Sequence, residues 1–183
     1  MLLRLKASFG DRVELLTFGC SGTSLQETLK GMRAGDRANS VHHLGVLARD
    51  EVAQLFADSD VFLDGSVWQA FGRTGLEAMA AGCVPVLPAG SGCEEYARHG
   101  VNAMLVDTTD AEAMYRATAS LVADRTLLGR LHTAAIQTAR EFDMEHASHI
   151  LMRLLCASVR GDIVPAPCSR AKQERTPSLA PDG

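Results

Sequence analysis

Strand-like segments alternate with helical patterns along the chain up to Asp107, and this alternation restricts it to one class of fold. The strand-like segments are short and apolar: RVELLTF (12–18), VHHLG (41–45), DVFLDG (60–65), CVPVLP (83–88) and AMLVD (103–107). Apolar residues recur at helical spacing between them, in SLQETLKGMR (24–33), RDEVAQLFADS (49–59), TGLEAMAAG (74–82) and the shorter CEEYARHG (93–100). Such βαβ units predict an α/β fold with a doubly wound parallel sheet.

Extra carboxyl-terminal helices are predicted after the alternating part. Three helical patterns follow one another over residues 108–124, 125–142 and 143–159. Thr109 and Glu112 fit the S/T-x-x-E capping box, which predicts the start of the first, and Gly82 is the expected C-cap of the helix over 74–82. Residues 161–183 hold four of the six prolines and few apolar side chains, so we expect a disordered tail.

The opening segment MLLRLKASFG (1–10) resembles the last turns of a helix that leads directly into a strand. A doubly wound domain normally opens with a strand. We therefore expect a domain over residues 1–160 that lacks its first strand-helix unit.

Charge and targeting signals narrow the function classes. A net charge of −4 with only 5% aromatic residues argues against a nucleic-acid surface. The chain has neither a signal-peptide core nor a stretch near the roughly 20 apolar residues that span a bilayer. We expect a cytoplasmic protein, with peripheral membrane contact left open.

The cysteines and histidines do not suggest a metal site. The five cysteines show no C-x-x-C pairing, and their odd number argues against a closed disulfide set, so we expect reduced, mostly buried thiols. His42 and His43 are adjacent on a predicted strand and would point to opposite faces of it.

The segment QAFGRTGLEAMAAGC (69–83) is the candidate ligand site. In open α/β sheets ligands bind beyond the carboxyl ends of strands, where helix N-termini attract anions. Gly72 would let the backbone approach a ligand closely. Glu77, one turn into the following helix, can accept two hydrogen bonds from a vicinal diol such as that of a ribose.

Other interpretations remain open at this stage. Thr74-x-x-Glu77 also fits a capping box, in which Glu77 only folds back on the N–H of Thr74. Gln69 can equally be a plain loop residue, and Trp68 an anchor in the core. Spacing alone does not decide between these alternatives.

The segment over 59–107 resembles the donor-binding half of GT-B glycosyltransferases, specifically the retaining, nucleotide-sugar-dependent enzymes of bacterial polysaccharide synthesis often called family 4. Their motif is a Glu, then x-F-G, then a second Glu with seven residues between the two, followed by A-M-A-x-G-x-P-V. A later G-x-x-E and G-x-N complete it. The chain matches with Gln69, Phe71, Gly72, Glu77, AMAAGCVPV, Gly92, Glu95, Gly100 and Asn102. The resemblance covers roughly residues 10–143.

The resemblance implies roles for individual residues. Glu77 would hold the ribose hydroxyls. Backbone N–H groups near Phe71, Gly72, Arg73 and Thr74 would meet the donor sugar and its diphosphate at the helix N-terminus. Arg73 is as compatible with a solvated surface charge as with phosphate contact, and Glu95 with a structural role as with a place in the donor site.

Two departures from the family's pattern bear on catalysis. Gln69 replaces the first Glu, which in the family touches the donor sugar, and an amide cannot act as a base or ionise. The family also has an Arg and a Lys in its first strand and loop, and an amino-terminal acceptor-binding domain; neither is in this sequence. We expect the chain alone to be a poor catalyst.

Our leading hypothesis is the carboxyl-terminal part of a retaining glycosyltransferase. It would transfer a sugar from a nucleoside diphosphate sugar to a glycan or lipid-linked acceptor, with no cofactor and no metal, and Gln69 would be its catalytic-site residue. The alternatives are a non-catalytic nucleotide-sugar-binding module that acts with a separate acceptor-domain chain, and a nucleotide-sugar epimerase.

Overall fold

A computed structural model describes residues 1–20 and 41–160 of the 183-residue chain. Its strands are β1 (Leu15–Thr17), β2 (Val41–His43), β3 (Val61–Leu63), β4 (Val84–Pro88) and β5 (Met104–Val106). Its α-helices are α1 (Leu2–Phe9), α2 (Arg49–Ala57), α3 (Arg73–Ala80), α4 (Ala111–Ala123), α5 (Arg125–Glu141) and α6 (Met144–Val159). Short 3₁₀ turns cover Gly10–Arg12 and Gly92–Glu95. The chain divides into two compact units, the first being Met1–Asp143 and the second starting at Met144.

All strand pairs in the described residues are parallel, which confirms the predicted α/β class. β1 pairs with β2, and β3, β4 and β5 form a second set in that order, with β4 in the middle. All five residues of β4 are buried, as a strand covered on both faces requires. Because the strands are parallel, the loops after β3, β4 and β5 leave the same edge of the sheet.

The two faces of β4 contribute to two different parts of the core, since successive side chains on a strand point to opposite sides. Val84 and Val86 pack with apolar residues of α4 and α5, including the fully buried Leu121 and Leu131. Leu87 packs in the other cluster, with Met79, Cys93, Tyr96, Ala97, Ala103 and Ala135. This second cluster lies beneath α3 and therefore supports the candidate site.

The predicted end of α3 at Gly82 is confirmed. Gly82 has a left-handed φ of 88°, its N–H donates to the carbonyl of Met79, and the N–H of Cys83 donates to that of Ala78. These two bonds form a Schellman motif, which satisfies the last carbonyls of the helix.

The predicted capping box at Thr109 is wrong. α4 begins one residue later, with Asp110 as N-cap and its carboxylate accepting from the N–H of Glu112. Thr109 instead donates both its N–H and its hydroxyl to Asp107. Asp is at least as good an N-cap as Thr, and here the turn ahead of the helix occupies the threonine.

The segment 93–100 forms only the short 3₁₀ turn Gly92–Glu95. Asn102, which is 3% exposed, explains why no α-helix continues there. Its side-chain carbonyl accepts the N–H of Arg98 at 2.6 Å, and its amide donates to the carbonyl of Tyr96 and to Thr138 of α5. The backbone groups that a helix would need are bonded to this side chain instead.

The second unit is described from Met144 to Arg160, and it contains α6. Exposed apolar side chains on α6 are Leu151, Met152, Leu154 and Leu155. None of the helices over residues 1–20 and 41–160 is long and apolar enough to cross a membrane. The helix predicted over 24–33 and the tail predicted over 161–183 lie outside the described residues.

The cysteines follow the prediction of free thiols where they are described. Cys83 and Cys93 are buried and Cys20 is partly buried, whereas Cys156 on α6 is exposed. Burial, with a smaller contribution from Asp60, raises the pKa of the Cys83 thiol to about 12. Cys83 is therefore un-ionised and unreactive at neutral pH.

Candidate functional site

Gln69 lies in the loop after β3, and its side chain is held by the start of that same loop. Its Nε2 donates to Oδ2 of Asp64 at 3.0 Å and to Oγ of Ser66 at 2.9 Å. Asp64 is only 8% exposed, and its other oxygen accepts the N–H of Ser66. Sequence reasoning identified Gln69 but missed Asp64; a carboxylate that directly follows an apolar strand, just before Gly-Ser, was the available signal.

The loops after β3, β4 and β5 are joined by hydrogen bonds around Gln69. The N–H of Gly92, in the loop after β4, donates to the Gln69 carbonyl at 2.8 Å. Thr108, after β5, donates its hydroxyl to the carbonyl of Ser66 at 2.7 Å. A Cβ on Gly92 would lie 1.7 Å from the carbonyl oxygen of Ala70, so only glycine permits this approach.

Gly72 forms the start of α3. It is the N-cap in the left-handed conformation, with φ 74° and ψ 49°, and no side chain caps the helix. The buried Tyr96 donates its hydroxyl to the Gly72 carbonyl, and a Cβ at position 72 would lie 2.3 Å from Sγ of Cys93. Burial raises the pKa of Tyr96, so the hydroxyl keeps the proton that this bond needs. Glycine at 72 is thus required by both backbone conformation and packing.

Arg73 and Thr74 are the first two residues of α3, and both are exposed. The N–H groups of a first helical turn have no acceptor within the helix. The helix N-terminus therefore presents two backbone donors and the positive end of its dipole at the carboxyl edge of the sheet.

Glu77 lies one turn further along α3 and is partly exposed. Its Oε1 is 3.2 Å from Nε of Arg73, an i,i+4 ion pair on the helix surface. The alternative that Glu77 caps Thr74 is wrong, because the N-cap is Gly72 and Thr74 is already the second helical residue. The carboxylate is left to Arg73 and to whatever approaches this surface.

Aromatic residues flank the helix start. Phe71 is 37% exposed; its ring meets Tyr96 edge to face and Phe142 at a tilt, with ring centroids 5.3 and 6.1 Å apart. Trp68 is 65% exposed, so the alternative that it anchors the core is wrong.

Two glutamates, Glu94 and the candidate Glu95, lie in the loop after β4. Glu94 accepts the N–H of Gly90 at 2.7 Å, which closes that loop. Glu95 is exposed at the end of the 3₁₀ turn. Over residues 1–20 and 41–160, no three His, Cys, Asp or Glu side chains come together as a metal site would need.

Comparison with known families identifies the chain. The family model described as Glycosyl transferases group 1 matches residues 3–142. The chain belongs to this family. The match covers β1 to β5 together with α1 to α5, and so includes every candidate site residue.

A curated relative of this group 1 glycosyltransferase chain is the lipopolysaccharide core biosynthesis glycosyltransferase LpsE of Rhizobium meliloti (strain 1021). The two are 30% identical over 135 residues, which is 67% of this chain and 40% of LpsE. The chain thus spans well under half the length of that relative.

Solved structures show the same fold. Sucrose-phosphate synthase of Thermosynechococcus elongatus matches with a TM-score of 0.70 and 20% identity, over 88% of this chain and 42% of that one. Anabaena HepE, solved in complex with UDP, matches with a TM-score of 0.69 and 22% identity, over 88% and 44%. The carboxyl-terminal domain of the group 1 family protein LpcC of Francisella tularensis gives 0.56 and 18%, over 67% and 62%. The group 1 chain therefore has the fold of one half of a GT-B glycosyltransferase.

Proposed function

We propose that this chain is the donor-binding half of a retaining glycosyltransferase, which transfers a sugar from a nucleoside diphosphate sugar to a glycan or lipid-linked acceptor. The observation that carries the proposal is the arrangement of Gln69, the N-terminus of α3 and Glu77 along one continuous segment at the carboxyl edge of the sheet. The three groups suit the three parts of such a donor: sugar, diphosphate and ribose.

The diphosphate belongs at the start of α3. Free N–H groups of Arg73 and Thr74 and the helix dipole favour an anion there. The Arg73 guanidinium can turn to the phosphates, because its ion pair with Glu77 is exposed and such pairs contribute about 0 to 1 kcal/mol. Donors aimed at the leaving diphosphate stabilise the negative charge that develops as the glycosidic bond breaks, and the proposal requires no metal ion for this step.

The ribose belongs one turn further along. A carboxylate at position 77 stands about 6 Å along the helix axis from Arg73, just over one turn beyond the phosphate site. It accepts hydrogen bonds from two neighbouring hydroxyls, and charged acceptors form the stronger class of such bonds. When Arg73 turns to the phosphates, the Glu77 oxygens become available for the ribose.

The relatives support the donor and the acceptor class. HepE is solved with UDP and with UDP-glucose, and LpsE is named for lipopolysaccharide core biosynthesis, in which the growing glycan is attached to lipid. We propose that the acceptor is bound by a separate amino-terminal domain of the GT-B type. A cytoplasmic location with peripheral membrane contact fits a lipid-linked acceptor.

Calorimetric titration of the chain with UDP, GDP, ADP and dTDP tests the donor site. We expect one nucleotide to bind, and Glu77→Ala to weaken it by about 1 to 3 kcal/mol because a charged hydrogen-bond partner is lost. Glu141→Ala, which removes an exposed carboxylate near the end of α5, is the matched control and should leave binding unchanged. Absence of binding to all four nucleotides would refute the donor site in this chain.

A second candidate is a non-catalytic nucleotide-sugar-binding module. The observation that favours it is the neutral amide at position 69, which cannot ionise to stabilise positive charge on the sugar. Incubation with a bound donor and product analysis separates the two: sugar transfer or donor hydrolysis by the chain together with an acceptor domain excludes the module, and binding without turnover supports it.

A further inference from the structure

The hydrogen bonds of Asp64 decide which atom Gln69 presents to the site. The Asp64 carboxylate is buried, and each of its oxygens accepts a hydrogen bond. One accepts from the N–H of Ser66 and the other from Nε2 of Gln69. A carboxylate only accepts hydrogen bonds, so it fixes the amide with its nitrogen toward Asp64. The second Nε2 proton goes to Oγ of Ser66. Both donor positions of the amide are thereby occupied.

We propose that Asp64 is a positioning residue that holds the Gln69 side chain so that only its carbonyl oxygen, Oε1, is available to the donor sugar. The inference rests on the proposed donor-site function and specifies its sugar class. A lone acceptor selects a hydrogen-bond donor, so the sugar presents a hydroxyl or an amide N–H at this point. A carboxylate on the sugar cannot donate a hydrogen bond to Oε1, and its negative charge would lie near that of Asp64. Such a sugar is therefore disfavoured.

The backbone around Gln69 keeps this side chain in place. Its carbonyl is bonded to the N–H of Gly92, and the carbonyl of Ser66 is bonded to Thr108. Gln69 is therefore held at main chain and side chain, from the loops after β3 and β4. Such support preorganises a contact so that little freedom is lost when the ligand binds.

The variant Asp64→Asn distinguishes a role in positioning Gln69 for the sugar from a hydrogen bond that only stabilises the loop. The new asparagine keeps the turn if its oxygen still accepts the Ser66 N–H, and its NH₂ then faces Gln69. The Gln69 amide must turn over to accept from it, which presents an N–H to the sugar instead of a carbonyl. We expect the ratio of sugar-nucleotide affinity to nucleotide affinity to fall about tenfold, with nucleotide affinity itself nearly unchanged.

Gln69→Glu tests the same contact through pH. Two carboxylates at hydrogen-bond distance repel when both are ionised, so the pair retains a proton that the unfolded chain loses. A carboxyl whose pKa is raised in the folded state loses its stabilising contribution as pH rises. The urea midpoint of this variant should therefore drop between pH 4.5 and 7.5 relative to wild type. Among the described residues, Tyr96 interacts with Asp64, and its raised pKa keeps it neutral over this range; Cys93 lies beside Tyr96.

The exchange variant Asp64→Asn/Gln69→Glu is the rescue. Its amide at position 64 donates to the carboxylate at position 69, so the bond is restored with donor and acceptor reversed, and the site again presents an acceptor. We expect the extra pH dependence to disappear and the affinity ratio to return to within about threefold of wild type.

Wild type, the two single variants and the exchange variant are all measured in the 183-residue chain, with UDP, GDP, ADP, dTDP and their glucose conjugates as probes. Recovery in the exchange variant, in both the urea midpoint and the affinity ratio, supports the proposal. Recovery of the midpoint with an affinity ratio that never changed would overturn it, because the bond would then be structural only. If the wild type binds none of the eight probes, the proposed function is overturned. The urea midpoints report only on the bond between positions 64 and 69, so the two failures can be told apart.

Discussion

At the residue scale, the candidate site depends on two glycines as much as on the side chains around them. At Gly72 and Gly92 the loops after β3 and β4 lie close together, and a methyl group at either glycine would overlap neighbouring atoms. Their roles differ, since only Gly72 also has a positive φ. The groups that we propose to contact the donor are thus positioned by backbone packing beneath them.

Gly72→Ala should destabilise the protein more than Gly90→Ala. Both glycines have positive φ, 74° and 67°, so the conformational strain on alanine is comparable. Only position 72 adds a clash, with Sγ of Cys93, and overpacking of this kind costs about 1 to 3 kcal/mol. Urea unfolding of the two variants measures the difference. Equal losses would show that Cys93 moves aside freely.

The cysteines should differ in reactivity. The pKa of Cys83 is raised to about 12, so the thiolate fraction at pH 8 is negligible, whereas Cys156 is exposed. We expect iodoacetamide to alkylate Cys156 in the native protein and Cys83 only after unfolding, as measured by mass spectrometry of the peptides. Rapid native alkylation of Cys83 would contradict its burial.

At the element scale, the sequence predicts the regular parts well and the irregular ones poorly. All five strands and the helices α1 to α6 follow from the sequence, because apolar residues recur along each segment at the spacing of its element. The 3₁₀ turn after β4 does not, since it depends on Asn102 capturing the backbone of Arg98. The Asp64–Gln69 bond is equally hard to predict, because four residues of irregular loop separate its partners.

Asn102→Ala should be strongly destabilising for its size. It removes a buried side chain that makes three hydrogen bonds, and it leaves the N–H of Arg98 and the carbonyl of Tyr96 without their partner. We expect a loss of about 2 to 4 kcal/mol in the free energy of unfolding. Thr138→Val removes the bond from Asn102 to α5, together with the bond of the Thr138 hydroxyl to the carbonyl of Ala134 within α5. It is the control and should cost about 1 kcal/mol. Similar losses in the two variants would show that Asn102 stabilises the protein mainly through its hydrogen bond to Thr138 of α5.

At the scale of the whole molecule, the chain corresponds to less than half the length of its relatives. It spans 40 to 44% of LpsE, sucrose-phosphate synthase and HepE. Its described strands end in a set of loops that share hydrogen bonds, and all of the proposed donor contacts come from these loops and α3.

Nucleotide binding should therefore stabilise the whole first unit. A ligand at one hundred times its dissociation constant stabilises the folded state by about 2.7 kcal/mol. For a chain of this size that corresponds to a rise in Tm of about 5 to 11 °C. Differential scanning fluorimetry with the nucleotide found by titration measures the rise. Glu77→Ala at the same concentration should show a smaller one, and an equal rise in both would place the nucleotide elsewhere.

The contact between Gly92 and the carbonyl of Ala70 has a consequence for protein engineering. Because the loops after β3 and β4 meet at backbone distance, neither can be exchanged for that of another glycosyltransferase by itself. A chimaera that imports residues 64–72 must import residues 89–96 from the same parent. We therefore expect these loops to be exchangeable only as a pair of segments, and libraries that vary a single loop to yield mainly unfolded clones.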